Sequence, residues 1–500
     1  MQSRNVGQPA LQQEHEAEQW NEERLRSLIA ASADVVMLSL PDRVQDNDSV
    51  SALLIYCDGM IDTQVMNQHV LPDLEQMMVT CHTWDKLESE LEKSIEWVPF
   101  DLHTKLENLL FEGQFIAFFP MHERFYYINI AQLPQRQPEE SNTEISIKGA
   151  RDAFTEDIAT NVALIRKRLR TASLHNERFI IGSRSQTKVS LLYFADVVRS
   201  EVIEEARTRL KGIHVDALVT SGEMEEALSD SSLSIFPLLD YIGRPDFAVE
   251  CLLRGRFIIL IDGSPMALIA PVNLVEILKT PEDSYTPYHF IIFERFFRLL
   301  GLFISLFLPG FWIALLAYDM DQLPLPLLAT VTTSRYGLPF STPMEMLLML
   351  VMFELFRESG IRLPKAVGQT IAVIGGLIIG ESAIRAGLTS PAMLVVSAVT
   401  AVSTFTLVNQ TLAGTVSLIR LYILFMSSGL GMFGFFIGLA SVLAYLSTLE
   451  SFGLPYLAPI SPLTWKGLLP GLLAKPWLSY KKRPKMMNTV DDTRQERDHE

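Results

Sequence analysis

The side chains with the most chemical capacity in this sequence are ionisable ones set in or beside long apolar runs. Glu345 and Glu354 lie in the run 344–356, Arg357 and Glu358 directly follow it, and Glu381, Arg385 and Arg420 accompany other apolar stretches. A charge at the centre of a bilayer costs about 2.5–3.5 kcal/mol on insertion scales, so such groups either pair or face water. Two readings follow. The groups line a pore or gate, together with the apolar Val373 and Leu377 and the small Gly380 of the run 366–384, or they satisfy one another as salt bridges, Glu354 with Arg357 or Arg420. No catalytic constellation accompanies them. There is no HExxH, Walker loop or GxSxG, the nine histidines are scattered with none between Leu299 and Tyr480, and no cofactor is called for. Gly429, Gly431 and Gly434 form a GxGxxG inside an apolar stretch with no preceding strand, which reads as close helix packing.

The elements that would position these residues are helices. Leu299–Ala317 is uncharged over a length that crosses the hydrocarbon at about 1.5 Å per residue, with Pro309 inside it. Further spans are expected at 344–356, 366–384, 391–408 and 412–446, the last long enough for two crossings or for one and a re-entrant piece. Arg357, Arg362 and Lys365 in one loop, and Lys481, Lys482, Arg483 and Lys485 after the last apolar region, belong on the cytosolic side by the positive-inside rule. With both termini cytosolic the number of crossings is even. The Pro-rich stretch 450–485, with Trp465, Trp477 and Tyr480, suits a membrane interface, and 486–500 reads as a disordered cytosolic tail.

The front of the chain differs. Residues 1–298 carry 28 Lys/Arg against 46 Asp/Glu, whereas the remainder carries 14 against 12. Such an acidic face argues against nucleic acid or anionic lipid as its main partner. Residues 1–47 show no secretory signal and read as a partly disordered leader. Two similar α/β modules follow, at 48–134 and 149–288, joined by a polar linker at 135–148. Duplication is expected because Leu53, Leu54 and Asp58 match Leu191, Leu192 and Asp196, while Gly113, Phe115 and Ile116 match Gly255, Phe257 and Ile258. Strands are expected at 52–59, 114–120, 124–130, 189–196 and 217–222, with a final hairpin turning at Asp262-Gly263-Ser264-Pro265. Cys57, Cys81 and Cys251 form neither a disulfide framework nor a metal site. The fold class is thus an α/β cytosolic region of two similar modules followed by an all-α polytopic bundle of about four to six helices, its transmembrane domain at 289–449.

The runs GARDAFTEDIATNVALIRKRL (149–169), GSRSQTKVSLLYFADV (182–197), RPD (244–246), LLRGRFIILIDGSPMALIAP (252–271), FELFRESGIRLPKAVGQTIAVIGGLIIGESAIRAG (353–387) and ESFGLPYLAPISP (450–462) together resemble the GerA family of spore germination proteins, specifically the A subunit of nutrient germinant receptors. The resemblance implies a multi-pass protein of the spore inner membrane that works with a transporter-like B subunit and a lipoprotein C subunit. It implies a homo-oligomer, a pentamer in the family pattern, that forms a nutrient-gated channel for monovalent cations. By carry-over, Arg151, Glu156, Asn161, Arg244, Pro245, Asp246, Gly255, Arg256, Asp262, Gly263 and Pro265 form the soluble signature. Ile242-Gly243 before Arg244, and Asp283-Ser284-Tyr285 before the first crossing, depart from the family pattern and bear on the domain–membrane junction. A non-conducting signalling scaffold and the related branch associated with dipicolinic acid release are the alternatives. A secondary transporter fits less well, because the membrane half shows no inverted repeat.

Overall fold

The computed structural model describes residues 21–40, 51–81, 83–94, 96–100, 106–132, 148–362, 380–461, 474, 476 and 479–494. The chain divides into two compact units, residues 1–137 with 155–179 and 188–192, and residues 138–154 with 180–187 and 193–500.

In the first unit, five strands, β1 (Val35–Leu40), β2 (Ala52–Cys57), β3 (Trp97–Pro99), β4 (Gln114–Phe119) and β5 (Arg124–Asn129), form one sheet in the order β1-β2-β4-β5-β3. Every pairing is antiparallel, with Val35 opposite Cys57 and Leu54 opposite Ala117. Both faces are covered. Leu54, Phe115, Ala117 and Phe119 pack on α2 (Leu71–Thr80) and α3 (Trp84–Lys93), whereas Leu53, Ile55, Ile116 and Phe118 pack on α1 (Glu22–Ile29) and α4 (Leu106–Leu110). The alternation is the period-2 pattern of a strand buried on both sides. The expected leader is corrected here: α1 and β1 fall within residues 1–47, because the apolar run Val35–Leu40 supplies an edge strand that pairs along its whole length with β2. The last helix of this unit is α5 (Ile158–Arg166).

A second five-stranded sheet contains β6 (Leu174–Ile181), β7 (Thr187–Phe194), β8 (Asp240–Ile242), β9 (Phe257–Ile261) and β10 (Ala267–Ala270), in the order β6-β7-β9-β10-β8; the boundary between units passes along β6 and β7. The two sheets have the same topology strand for strand. The matched residues fall on equivalent strands, β2 with β7 and β4 with β9, and the glycines before β4 and β9 share a left-handed backbone, φ +85° at Gly113 and +88° at Gly255. The helices of this module are α6 (Ser200–Lys211), α7 (Ser221–Leu228), α8 (Pro245–Leu253) and α9 (Leu274–Ile277). The strand expected at 217–222 is not formed. Thr220 and Glu223 instead build a reciprocal capping box that starts α7.

The helical region comprises α10 (Tyr288–Tyr318), α11 (Leu325–Arg335), α12 (Thr342–Arg362), α13 (Pro391–Thr404) and α14 (Gln410–Thr448). Among the described residues, two helices are long and apolar enough to cross a membrane, Tyr288–Tyr318 and Thr411–Thr448. The second is a helical hairpin. Its limbs meet at Gly431, with φ +62° and ψ −141°, and the chain doubles back so that the Tyr422 hydroxyl lies 2.9 Å from Ser441 Oγ. A Cβ at Gly434 would fall 2.0 Å from the Met426 carbonyl oxygen, and one at Gly431 2.7 Å from the Tyr318 ring. The GxGxxG is therefore the reversal of a tight helical hairpin. Phe236, Leu238, Val272, Leu274 and Ile277 of the second module share one apolar core with Leu302, Leu306, Val416 and Ile423 of α10 and α14. The tail expected to be disordered is described through residue 494 and is anchored: Arg483 donates to the Leu253 carbonyl (2.9 Å) and to the Asp491 carboxylate (2.6 Å), and Val490 N–H donates to the Val197 carbonyl.

Candidate functional site

The charged groups of the second unit gather where its module meets the helices. Arg244 precedes α8, whose first residue is Pro245, a position that needs no backbone N–H. The Arg244 guanidinium is buried and grips Asp246 through two hydrogen bonds (3.1 and 2.6 Å) and Glu282 through one (2.6 Å); the Tyr285 hydroxyl donates to Asp246 as well (2.9 Å). The start of α8 is thereby tied to the short turn Pro281–Ser284 that leads into α10. From that turn Asp283 accepts from Thr280 Oγ1 (2.8 Å), Arg295 Nε (2.9 Å) and Arg298 Nη1 (2.9 Å). Arg295 and Arg298 sit three apart on α10 and so share a helix face. Burial alone would raise the Asp283 carboxyl, but the two guanidiniums and the Thr280 hydroxyl outweigh it and hold the acid below its usual range.

A second knot lies beside the first. Glu276 of α9 is fully buried and accepts from Lys279 and from Arg254 Nη1 (3.1 Å), with Arg256 4.0 Å away. Burial opposes its ionisation, yet the three cations hold its carboxyl far below the ordinary value. Lys279 is pushed down to about 8, burial outweighing the opposing pull of Glu276. Arg256 donates to the Pro271 carbonyl (2.9 Å) and meets Cys251 Sγ at 3.3 Å. Burial raises the Cys251 thiol to about 11, which makes it inert; all three cysteines are free and buried. A cavity of about 530 Å³ opens at this joint, lined by Asp246, Glu250, Asp283, Tyr285, Tyr288 and Tyr480 among others.

The hairpin α14 is clasped to the same module. Asn409 caps its first turn by accepting from Leu412 N (3.0 Å) and donates its amide to Asp240 Oδ1 (2.9 Å). Thr415 donates to the Ile235 carbonyl (2.6 Å), and the Tyr445 hydroxyl on the returning limb accepts from Ile235 N–H (3.1 Å). Burial pushes Asp240 up to about 6 against the pull of Arg256, and burial together with the charge of Asp240 raises Glu225 to about 6.

Within the helices, Glu345 is fully buried and accepts from Ser390 Oγ (2.7 Å) and Thr389 Oγ1 (3.1 Å) at the N-terminus of α13, a favourable place for an anion; Arg335 lies 3.7 Å from its other oxygen. Glu354 pairs with Arg357 and, at 3.3 Å, with Arg420. Glu381 pairs with Arg385 on an exposed face, Glu358 is exposed, and Gly380 lies against Leu394. Val373 and Leu377 lie outside the described residues. Of the soluble signature, Arg244, Asp246 and Arg256 come together at the joint, and Gly255 precedes β9, its left-handed backbone against Thr489. Asn161 is fully buried and bridges the Thr155 backbone, accepting from its N–H (2.7 Å) and donating to its carbonyl (2.6 Å). Arg151 and Glu156 are exposed. Asp262 and Gly263 turn the β9–β10 hairpin, with φ +84° at Gly263, and Pro265 beside them is exposed. Sequence reasoning missed Asp240, Glu276, Arg295 and Arg298. The i, i+3 arginine pair directly ahead of an uncharged run was the available signal for the last two.

These features define a class: an α/β module clasped by buried ion pairs and helix caps to an apolar helical region. The chain belongs to the family described as Bacillus/Clostridium GerA spore germination protein, whose family model matches residues 23–486. It is 45% identical to spore germination protein XA of Bacillus anthracis over 90% of this chain and 92% of that protein. It is 32% identical to the membrane protein YfkQ of Bacillus subtilis (strain 168) over 93% and 90% of the two chains. A crystal structure of the N-terminal domain of the A subunit of the Bacillus megaterium spore germinant receptor GerK3 matches with 26% identity and a TM-score of 0.38, covering 50% of this chain and 92% of that one.

Proposed function

We propose that this chain is the A-type subunit of a spore germinant receptor, a multi-pass protein of the spore inner membrane with both termini cytosolic and four to six crossings. In this reading it joins a transporter-like B subunit and a lipoprotein C subunit, assembles as a homo-oligomer, and opens a path for monovalent cations when a nutrient signal arrives. The observation that carries the reading is the joint: Asp283 holds Arg295 and Arg298 of α10 while Asp240 holds the cap of α14, so a displacement of the second module moves two apolar helices together. The gate is placed at Val373 and Leu377, on the stretch that connects α12 to α13. Trimming either side chain to Ala lowers an apolar barrier and shifts the closed–open balance. The test is potassium release from dormant spores carrying Val373→Ala or Leu377→Ala: constitutive leak is expected, and unchanged dormancy and germination in both variants would sink that gate.

A second reading, a non-conducting signalling scaffold, is favoured by one observation: Glu345, Glu354, Arg357 and Arg420 all find partners inside a single chain. Reconstitution of the complete receptor in liposomes separates the two, because a scaffold gives no nutrient-dependent potassium flux.

A further inference from the structure

One buried acid sits where the second module meets the hairpin α14, with two idle donors near it. Asp240 is 7% exposed, and its Oδ1 accepts from Tyr241 N–H (3.1 Å) as well as from Asn409. Asp240 lies opposite Ile269 on β10, and Ile269 lies opposite Ile258 on β9. Side chains two apart on a strand share a face, so Arg256, just ahead of β9, stands on the same face as Asp240. Arg256 is fully buried. Its Nε and Nη1 serve the Pro271 carbonyl and Cys251, whereas its Nη2 makes no hydrogen bond among the described residues. The same holds for the buried hydroxyl of Tyr456, just past α14, whose ring packs on Phe236 with centroids 5.8 Å apart. Burial and then the charge of Asp240 push that hydroxyl up, which puts it within the field of the acid.

Charges face Asp240 from the neighbouring elements. Glu225 on α7 and Glu276 on α9 are acids, and Arg256 is the cation. Cys251 of α8 and Tyr241 beside it titrate high and stay neutral, and Asn409 on α14 is uncharged. Burial, with two acids set against one cation, keeps the Asp240 proton in place up to about pH 6. A carboxylate at this depth needs donors, and two buried donors nearby are unspent.

We propose that Asp240 is a proton-operated switch at the base of α14 with two arrangements: with its proton it holds the Asn409 cap, and without it the carboxylate draws in Arg256 Nη2 and the Tyr456 hydroxyl. Arg256 and Asp240 are not bonded in the first arrangement, so the guanidinium must swing away from the Pro271 carbonyl to reach the acid. Pro271 leads directly into Val272, Leu274 and Ile277, which share an apolar core with α10 and α14, and their seating loosens with it. The switch is a property of the chain itself and stands apart from the receptor assignment.

Hydrogen exchange of the full-length chain in neutral detergent, followed from pH 5 to 7.5 and corrected for intrinsic rates, tests it. The N–H groups of Val272 and Leu274 bond to Ser451 Oγ and the Tyr456 carbonyl. Amides of residues 272–277 should lose protection roughly tenfold as the pH rises through about 6. Asp240→Asn should hold the low-pH protection across the whole range. Tyr456→Phe removes a donor to the carboxylate and leaves the protonated arrangement intact, so it should move the midpoint up by about 0.5 pH unit or more. Protection that stays constant in the wild-type chain overturns the proposal, and this profile decides the matter even where a variant fails to fold. A midpoint that folded Tyr456→Phe leaves in place also overturns it, and would assign the idle donors to an ordered water.

Discussion

Asp34 and Arg166 lie in the first unit with almost no contact with solvent, joined by two hydrogen bonds (2.7 and 3.1 Å). Ser32 Oγ accepts from the same guanidinium, and Asn176 Nδ2 donates to Asp34. Burial works against the Asp34 carboxylate, and Arg166 reverses it, so the acid titrates below its ordinary value. Removing one partner strands the other in a low dielectric, which costs about 3–5 kcal/mol. Arg166→Met should therefore destabilise the first unit by that amount in urea titrations of the full chain, whereas replacing both residues by apolar ones should cost much less. Asp240 has the opposite sign. Its carboxyl titrates near 3.8 when unfolded and about 6 when folded, so the folded chain keeps an extra proton between those values. That contribution is complete below about pH 4 and is lost as the pH rises through 6, amounting to up to about 3 kcal/mol. Asp240→Asn should flatten this pH dependence and raise stability at pH 7.5, read as slower hydrogen exchange in residues 229–240. Parity with wild type at pH 7.5 would refute the shift.

Helices and strands carry a different lesson. The hairpin in α14 depends on Gly431, whose backbone angles lie where a side chain is strained and whose Cβ position is occupied by Tyr318. A Tyr422→Cys/Ser441→Cys pair should be bridged readily in the native chain by a short bifunctional thiol reagent that spans the length of the lost tyrosine ring, since the Tyr422 hydroxyl already meets Ser441 across the limbs. Adding Gly431→Val should reduce the cross-linked fraction severalfold, because the limbs can no longer close. Persistence of full cross-linking would show that the reversal tolerates a side chain. Polar caps work the same way on a smaller scale. Ser390→Ala removes both the cap of α13 and a donor to buried Glu345, an expected loss of about 1–3 kcal/mol in thermal melts.

Across the whole chain, the helices are bound to the second module by groups from several distant stretches: Asp283 with Arg295 and Arg298, Asp240 with Asn409, and Ile235 with Thr415 and Tyr445. In spores, Arg298→Met should uncouple nutrient exposure from potassium release while leaving the protein at its normal abundance by immunoblot. Normal release would place the coupling elsewhere.

Local pattern was enough for much of this. Apolar run length marked α10 and α14, because a helix shielded from water needs little more than length and the absence of charge. Alternating and continuous apolar runs marked β2, β4, β5 and β7, and six matched pairs of positions, in two sets of three, pointed to a repeated sheet. Pairing was another matter. Nothing in the spacing of Asp240 and Asn409, 169 residues apart, or of Asp34 and Arg166, 132 apart, announces a bond. The edge strand β1 was passed over since its partner lies beyond a polar stretch, and the GxGxxG could not declare a helical reversal until Tyr318 and Met426 were brought against it. Short-range periodicity is written into neighbouring residues, whereas the partner of a buried charge is selected by which distant surfaces the folded chain presses together and dries.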